Sequence, residues 1–316
     1  MAADGRDGTR QAVALAVAGA ACIAFSAILV RLAAEPPSTA ALYRCVYALP
    51  ALGALAYWER RRYGPRSGQQ RLLSVVAGLF FAGDLILWHH SIAAVGAGLA
   101  TVLGNVQVVL VPLVAWLLLR ERPGRRVIAA VPVVLAGVVL ISGVVGAGAY
   151  GDDPALGVVY GVTTAVMYTG FLLVLRAGNR DLRRPAGPLF YATAASALAT
   201  LPAGWLLGEL RLRPTWPAHG WLVALALSSQ VLGWLLISAA LPRVPAAVSS
   251  VVLTLQPVLS VVFAAVLLDE SPSVVQLTGI AVVVGGIVLA TVGRRPRAAG
   301  AEGPPAAESP LEARAR

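Results

Sequence analysis

One acid stands inside an apolar run of this chain. Asp84 falls about midway along the stretch 70–90, with Trp88 and Ser91 one and two helical turns further on. In a helix these three side chains share a face. A carboxylate at that depth costs at least ~2.5 kcal/mol if it meets lipid, so Asp84 should face a bundle interior or a wet cavity. An acid, an indole and a hydroxyl on one stripe could hold a cationic or zwitterionic solute through charge and cation–π attraction. Asp84 could also exchange a proton, as intramembrane acids of pumps and transporters do. The competing reading is structural, with Asp84 paired to Arg44 or to a backbone group.

Arg44 lies inside the preceding apolar run, beside Tyr43 and Tyr47. Its planar fork could receive a substrate carboxylate in a bidentate contact. Equally, it could snorkel to the interface with the two tyrosines as belt residues. His89 and His90 point about 100° apart on a helix and cannot chelate alone. Gln230 and Trp234 offer a polar and aromatic face from the other half of the chain. Nothing in the sequence matches an HExxH, GxSxG, CxxC or GxxxxGK pattern, so neither a metal, a cofactor nor nucleotide energisation is expected. Asp84 has no second intramembrane carboxylate with which to form a catalytic dyad, which weighs against a membrane-embedded enzyme. A scaffold without transport would not need Asp84 in an aqueous path.

The solvent for these residues is a bilayer. Hydrophobic residues make up 58% of the chain and charged residues only 13%, with a mean hydropathy of +0.77. Soluble domains carry roughly 25% charged residues. The net charge of +10 comes entirely from arginine, and the arginines cluster between apolar stretches, where they set orientation. No nucleic-acid partner is expected. Cys22 and Cys45 have no metal or redox spacing and read as small apolar core residues.

Ten stretches are apolar enough to cross the membrane: 11–33, 38–58, 70–90, 95–119, 126–145, 155–176, 187–207, 219–241, 245–268 and 273–292. The expectation is an all-α integral membrane protein. It has a polar tail at 1–10, a five-helix unit at 11–145, a connecting loop at 146–154 and a second unit at 155–292. A tail at 293–316 is too polar to fold. Ala16, Ala20 and Ala24 form a small-residue stripe for close helix packing. Pro50 and Pro202 lie within spans and should kink them.

The stretch from Trp88 to Ile141 is written again from Ile237 to Ala290. Gln107 falls on Gln256, Glu121 on Glu270, Pro123 on Pro272 and Gly137 on Gly286, without a gap. An odd number of spans per copy inverts the second copy. The basic junction at 120–126 answers an acidic one at 269–272, as inversion requires. With both termini inside, the inner segments hold nearly all the arginines. Asn105, Gln107, Thr254 and Gln256 then flank a pseudo-twofold axis, where they could line a cavity or bond between helices. Glu121 and Glu270 read as helix punctuation and capping before Pro123 and Pro272.

These junctions, LLLRERP at 117–123 and LLDESP at 267–272, resemble those of the ten-helix EamA-type members of the drug/metabolite transporter superfamily. So does the run from Asp84 to Ile92, with Ala100, Thr101 and Asn105 after it. The first copy departs from the pattern, with Val108 where the second has Pro257 and a proline one turn later at Pro112. The resemblance implies two inverted five-helix repeats in the cell membrane and secondary transport of a small metabolite, amino acid or amphipathic compound, with export and proton coupling favoured. It adds Tyr168, Thr164 and Phe25 as candidates for the cavity wall.

Overall fold

The computed structural model describes residues 2–120, 122–146, 148–179, 181, 183–240 and 246–291, without the side chains of 2–10, 119, 238–240, 246–254 and 291. Glu121, the side chain of Thr254 and the segment 293–316 therefore lie outside the described residues. In hydrocarbon each backbone polar group must be satisfied internally, and a helix does this within one segment. Among the described residues every regular element is helical.

The elements are α1 (Ala2–Ala24), α2 (Ser26–Ala33), α3 (Pro37–Tyr63), α4 (Gly68–Val95), α5 (Ala97–Gly104) and α6 (Gln107–Leu119). They continue with α7 (Arg125–Ile141), α8 (Pro154–Gly178), α9 (Ala186–Leu206), α10 (Ala218–Leu225), a π-helix (Ala226–Gly233), α11 (Trp234–Ala240), α12 (Ala246–Leu268) and α13 (Val274–Thr291). Seven helical stretches among the described residues are long and apolar enough to cross a bilayer. Leu255–Leu268 and Val274–Ala290 are shorter apolar helices, and α7 spans 17 residues. Residues 2–10, expected as a polar tail, are helical and continuous with the rest of α1. Pro50 and Pro202 sit within α3 and α9, which run through them as single helices.

Small residues set the packing, because lipid offers no hydrophobic force between helices and close approach must supply the attraction. Ala16, Ala20 and Ala24 are buried, and on the same helix a Cβ at Gly19 would come within 2.8 Å of Ile237 on α11. Helices α7 and α13, the matching copies, cross backbone to backbone. A Cβ on Gly137 would sit 2.8 Å from the Gly279 carbonyl, and one on Gly279 would sit 2.8 Å from the Gly137 carbonyl. The pairing pattern is itself repeated. Helix α3 packs on its copy α9, and α4 on α8, while the matching α10 and α11 pack on α2 and α1.

Carboxylates at helix ends tie the two halves together. Glu59, on the last turns of α3, accepts hydrogen bonds from Ala186 N (2.9 Å) and Gly187 N (2.8 Å) at the start of α9. Reciprocally, Glu209 after α9 accepts from Ser38 N (3.1 Å) and Ser38 Oγ (2.5 Å) at the start of α3. Glu270 after α12 accepts from Ala97 N (2.7 Å) and Gly98 N (3.1 Å) at the start of α5. Each acid meets free N–H groups at the positive end of a helix dipole. Glu270 is thus a cap, as its position before Pro272 suggested, but for a helix of the other half.

Three of the long apolar stretches are interrupted. Gln11–Ala33 breaks at Phe25 between α1 and α2, Ala97–Leu118 at Asn105 between α5 and α6, and Ala218–Ile237 widens into the π-helix. Hydroxyl or amide groups near each interruption bond a carbonyl of the preceding turn. Ser26 Oγ donates to Ile23 O (2.5 Å), Asn105 Nδ2 to Thr101 O (2.8 Å) and Ser228 Oγ to Ala224 O (2.6 Å). Broken backbone at membrane depth is tolerated where it faces protein or a wet cavity.

Candidate functional site

The three interruptions meet at a cavity of about 340 Å³, within the usual range for small-molecule sites. Ile23 and Ser26 reach it from the first break, Gly104, Asn105 and Gln107 from the second, and Ser229 from the π-helix. Short π segments recur at functional sites because the extra residue redirects side chains.

Asp84 and Arg44 supply its charge. Asp84 is buried on α4 and lines the cavity. Among the described residues its carboxylate has no hydrogen bond or salt bridge; only its main-chain carbonyl is engaged, weakly, by Thr164 Oγ1 at 3.5 Å. Arg44 projects from α3 and is 4% exposed. Its Nη2 donates to Gln230 Oε1 at 3.1 Å, and Gln230 Nε2 donates in turn to Thr193 Oγ1 at 3.2 Å. The guanidinium carbon stands 5.7 Å from the Trp88 ring centre, a cation–π contact. Nε and Nη1 of Arg44 are buried without a partner. The Asp84–Arg44 salt bridge weighed as the structural alternative is not formed, so the wall carries an acid and a guanidinium that do not bond each other. Buried donors left unmatched are costly, and an acceptor such as a carboxylate or carbonyl oxygen would satisfy them.

The remaining wall is aromatic and amide. Trp88, Tyr168 and Trp234 line the cavity; the Tyr168 and Trp234 ring centres are 6.3 Å apart, and both pack on Phe171. Asn105, Gln107 and Gln256 contribute amides. Thr101, which also lines the space, accepts from Ser260 Oγ at 2.9 Å. Of the residues singled out in the sequence, the cavity brings together Asp84, Arg44, Trp88, Asn105, Gln107, Tyr168, Thr164, Trp234 and Gln256.

Four candidates lie elsewhere. Ser91 is sealed against α8, where its Oγ donates to Gly157 O at 2.8 Å. Tyr47 bonds His219 Nδ1 through its hydroxyl at 2.6 Å and packs on Tyr43 in a separate aromatic cluster. Phe25 stacks edge-on against Phe263. Gln230 stands behind the wall and holds Arg44. The histidines are also structural: His89 Nδ1 faces Pro37 O at 3.0 Å and His90 Nε2 lies 3.2 Å from Glu209. Residues not anticipated include Ser26, Ser229, Phe81 and Leu85. Phe81 and Leu85 occupy the positions that match Gln230 and Trp234 in the other copy, which was a usable signal. Among the described residues no group of three or more His, Cys, Asp or Glu side chains could hold a metal ion.

A family model for the EamA-like transporter family matches residues 10–143 and again 155–292. None of the curated proteins matches the chain. A solved crystal structure, 20% identical in sequence, superposes with a TM-score of 0.61 over 89% of this chain and 98% of its own length. That likeness concerns the fold. The double match spans nearly the whole apolar part of the sequence: the chain belongs to the EamA-like transporter family of the drug/metabolite transporter superfamily, and is a multi-pass membrane protein.

Proposed function

We propose that this protein is a secondary transporter that moves a small zwitterionic or cationic solute, an amino acid or amphipathic metabolite, across the cell membrane by alternating access. One observation carries the reading: Asp84 and Arg44 line a single cavity of about 340 Å³ without bonding each other, and Arg44 keeps two buried donors without a partner. Asp84 would receive the solute's cationic end, Arg44 its anionic end, and Trp88, Tyr168 and Trp234 its apolar body. Gln230 acts as a positioning residue for Arg44.

Ten crossings in two inverted five-helix halves, with both termini on the cytoplasmic side, complete the proposal. Support comes from the arginine-rich segments on one side, the opposite charge of the two repeated junctions and the repeated helix pairings. Rocking of the halves would flex the breaks at Phe25 and Asn105 and the π-helix, all of which touch the cavity. Export and proton coupling at Asp84 follow the family resemblance.

The test is solute flux in proteoliposomes, screened over zwitterionic, cationic and anionic compounds with an imposed pH gradient. Wild type should accumulate a zwitterion or cation, and Asp84→Asn should lose that flux together with its response to the gradient. Retention of gradient-driven flux at wild-type affinity by Asp84→Asn rules out the role given to Asp84. Impermeant labelling of single cysteines near Arg122 and Asp269 tests inversion; reaction of both from one face refutes it.

A further inference from the structure

A second cavity, of about 290 Å³, opens where the C-terminal end of α3 and the first turns of α9 and α4 meet. We infer that it is a binding site for a phosphate group, carried by an anionic phospholipid headgroup or by a small soluble phosphate. The assignment is independent of what the central cavity carries.

The argument begins with charge. Arg60, Arg66, Arg71 and Arg184 contribute to the lining, with Glu59 as the one acid. Both Glu59 oxygens accept from Ala186 N and Gly187 N, so the carboxylate is held against α9 and forms no salt bridge with the four arginines, whose cations outnumber it. Two of the guanidinium groups are fixed in place. Arg66 donates to Asn179 Oδ1 at 3.3 Å and to the Arg184 carbonyl, while Arg184 donates to the Tyr63 and Gly64 carbonyls at 3.2 and 3.3 Å and is ion-paired with Asp181 at 3.0 Å. Among the described residues this leaves Arg60, Arg66 and Arg71 as the cations of the lining without a salt bridge. The other two, Arg60 and Arg71, are exposed at the rim and make no hydrogen bond or ion pair with the protein among the described residues.

Two fixed and two free guanidinium groups around one hollow suit an anion with several acceptor oxygens. A phosphate offers more of these than a carboxylate. Location supports a lipid as its carrier. Tyr57 and Trp58, exposed by 58% and 57%, stand on the adjacent turn of α3, in the manner of an interfacial aromatic belt at headgroup depth. Phe190 gives the cavity an apolar wall, and basic pockets between helices at that depth suit acidic headgroups.

The test uses the full chain purified in neutral detergent and titrated with phosphatidylglycerol, phosphatidylcholine or inorganic phosphate, with bound species counted by native mass spectrometry. Phosphatidylglycerol should bind at least tenfold more tightly than phosphatidylcholine. Removing the two free cations together in Arg60→Gln/Arg71→Gln should weaken that binding by about 25-fold, each cation near the surface contributing about fivefold. Arg61→Gln/Arg62→Gln removes the same charge from groups packed on Tyr57 and Trp58 and should change binding by less than about threefold. Competition by inorganic phosphate upholds the site and opens it to soluble phosphates; absence of competition upholds it for lipid alone. Equal losses in the two double variants, or no preference for phosphatidylglycerol, overturn the assignment.

Discussion

Removal of the Glu270 carboxylate should weaken the whole bundle, although it does not line the central cavity. Glu270 is 3% exposed and accepts two main-chain N–H groups of α5, at 2.7 and 3.1 Å. Hydrogen bonds to a charged group contribute about 1.5–3 kcal/mol each, and an anion at a helix N-terminus adds about 0.3–1 kcal/mol. Glu270→Ala should therefore cost about 3–5 kcal/mol after partial repair by water. Glu270→Gln, which keeps one acceptor oxygen but turns an NH₂ toward an N–H, should cost about half as much. Gly96 sharpens the test: its φ is +89°, and an added Cβ would lie 2.8 Å from Glu270 Oε2, so Gly96→Ala should also destabilise. The assay is reversible unfolding of the purified protein in mixed micelles, followed by helical circular dichroism. Asp152→Asn on the exposed 150–153 loop serves as the control, and Glu59→Ala, which uncaps α9, as the positive comparison. If Glu270→Ala unfolds within about 1 kcal/mol of the wild type, the capping argument is wrong, because even one lost charged hydrogen bond exceeds that.

Three further outcomes follow from the same geometry. Gly137→Val forces a side chain into the α7–α13 crossing, where Val283 and the Gly279 backbone leave no room, and should destabilise by about 1–3 kcal/mol; Gly285→Ala, which meets nothing within 4 Å, should not. Gln230→Glu gives Arg44 an internal counter-ion, so the KM for a zwitterionic solute should rise at least tenfold while the unfolding midpoint holds; an unchanged KM would show that Arg44 does not receive the solute. Between α8 and α9, the side-chain hydrogen bond from Arg183 holds the Asp181 carboxyl well below the ordinary carboxylate range. A depressed folded-state pKa stabilises above the unfolded value of about 3.9 and is lost as pH falls through the folded one. Asp181→Asn should thus lower the thermal midpoint slightly at pH 7, the pair being partly exposed and screened, and the difference should shrink on acidification below pH 4; a constant difference across that range would refute the linkage.

What the sequence made legible was whatever is improbable in its solvent. Asp84, Arg44, Trp234 and the amides of the repeated helices stand out against an apolar background, and the cavity holds all of them. Ser91 obeys the same helical arithmetic as Trp88 and still misses the cavity, because α8 closes over that part of α4. Glycines at 157 and 161 let the backbone come near enough to take the Ser91 hydroxyl. Periodicity names a face; it does not say what the face meets one turn further on. Tyr47 was lost for a similar reason: His219, distant in sequence, offers its hydroxyl a partner. The π-helix has no residue pattern of its own, so the direction in which Gln230 points could not be read.

The Glu270 junction makes the broader point about the repeat. Its recurrence in sequence looked like local punctuation, yet its carboxylate reaches α5 of the other copy, and Glu59 and Glu209 exchange the same service between α3 and α9. A half-molecule would therefore expose helix N-termini that only the other half can cap. The two copies are energetically one body at their ends and are interrupted at their middle, where the cavity lies. In the rocking motion proposed above, the capped ends would keep their partners while the breaks at Phe25 and Asn105 and the π-helix took up the change.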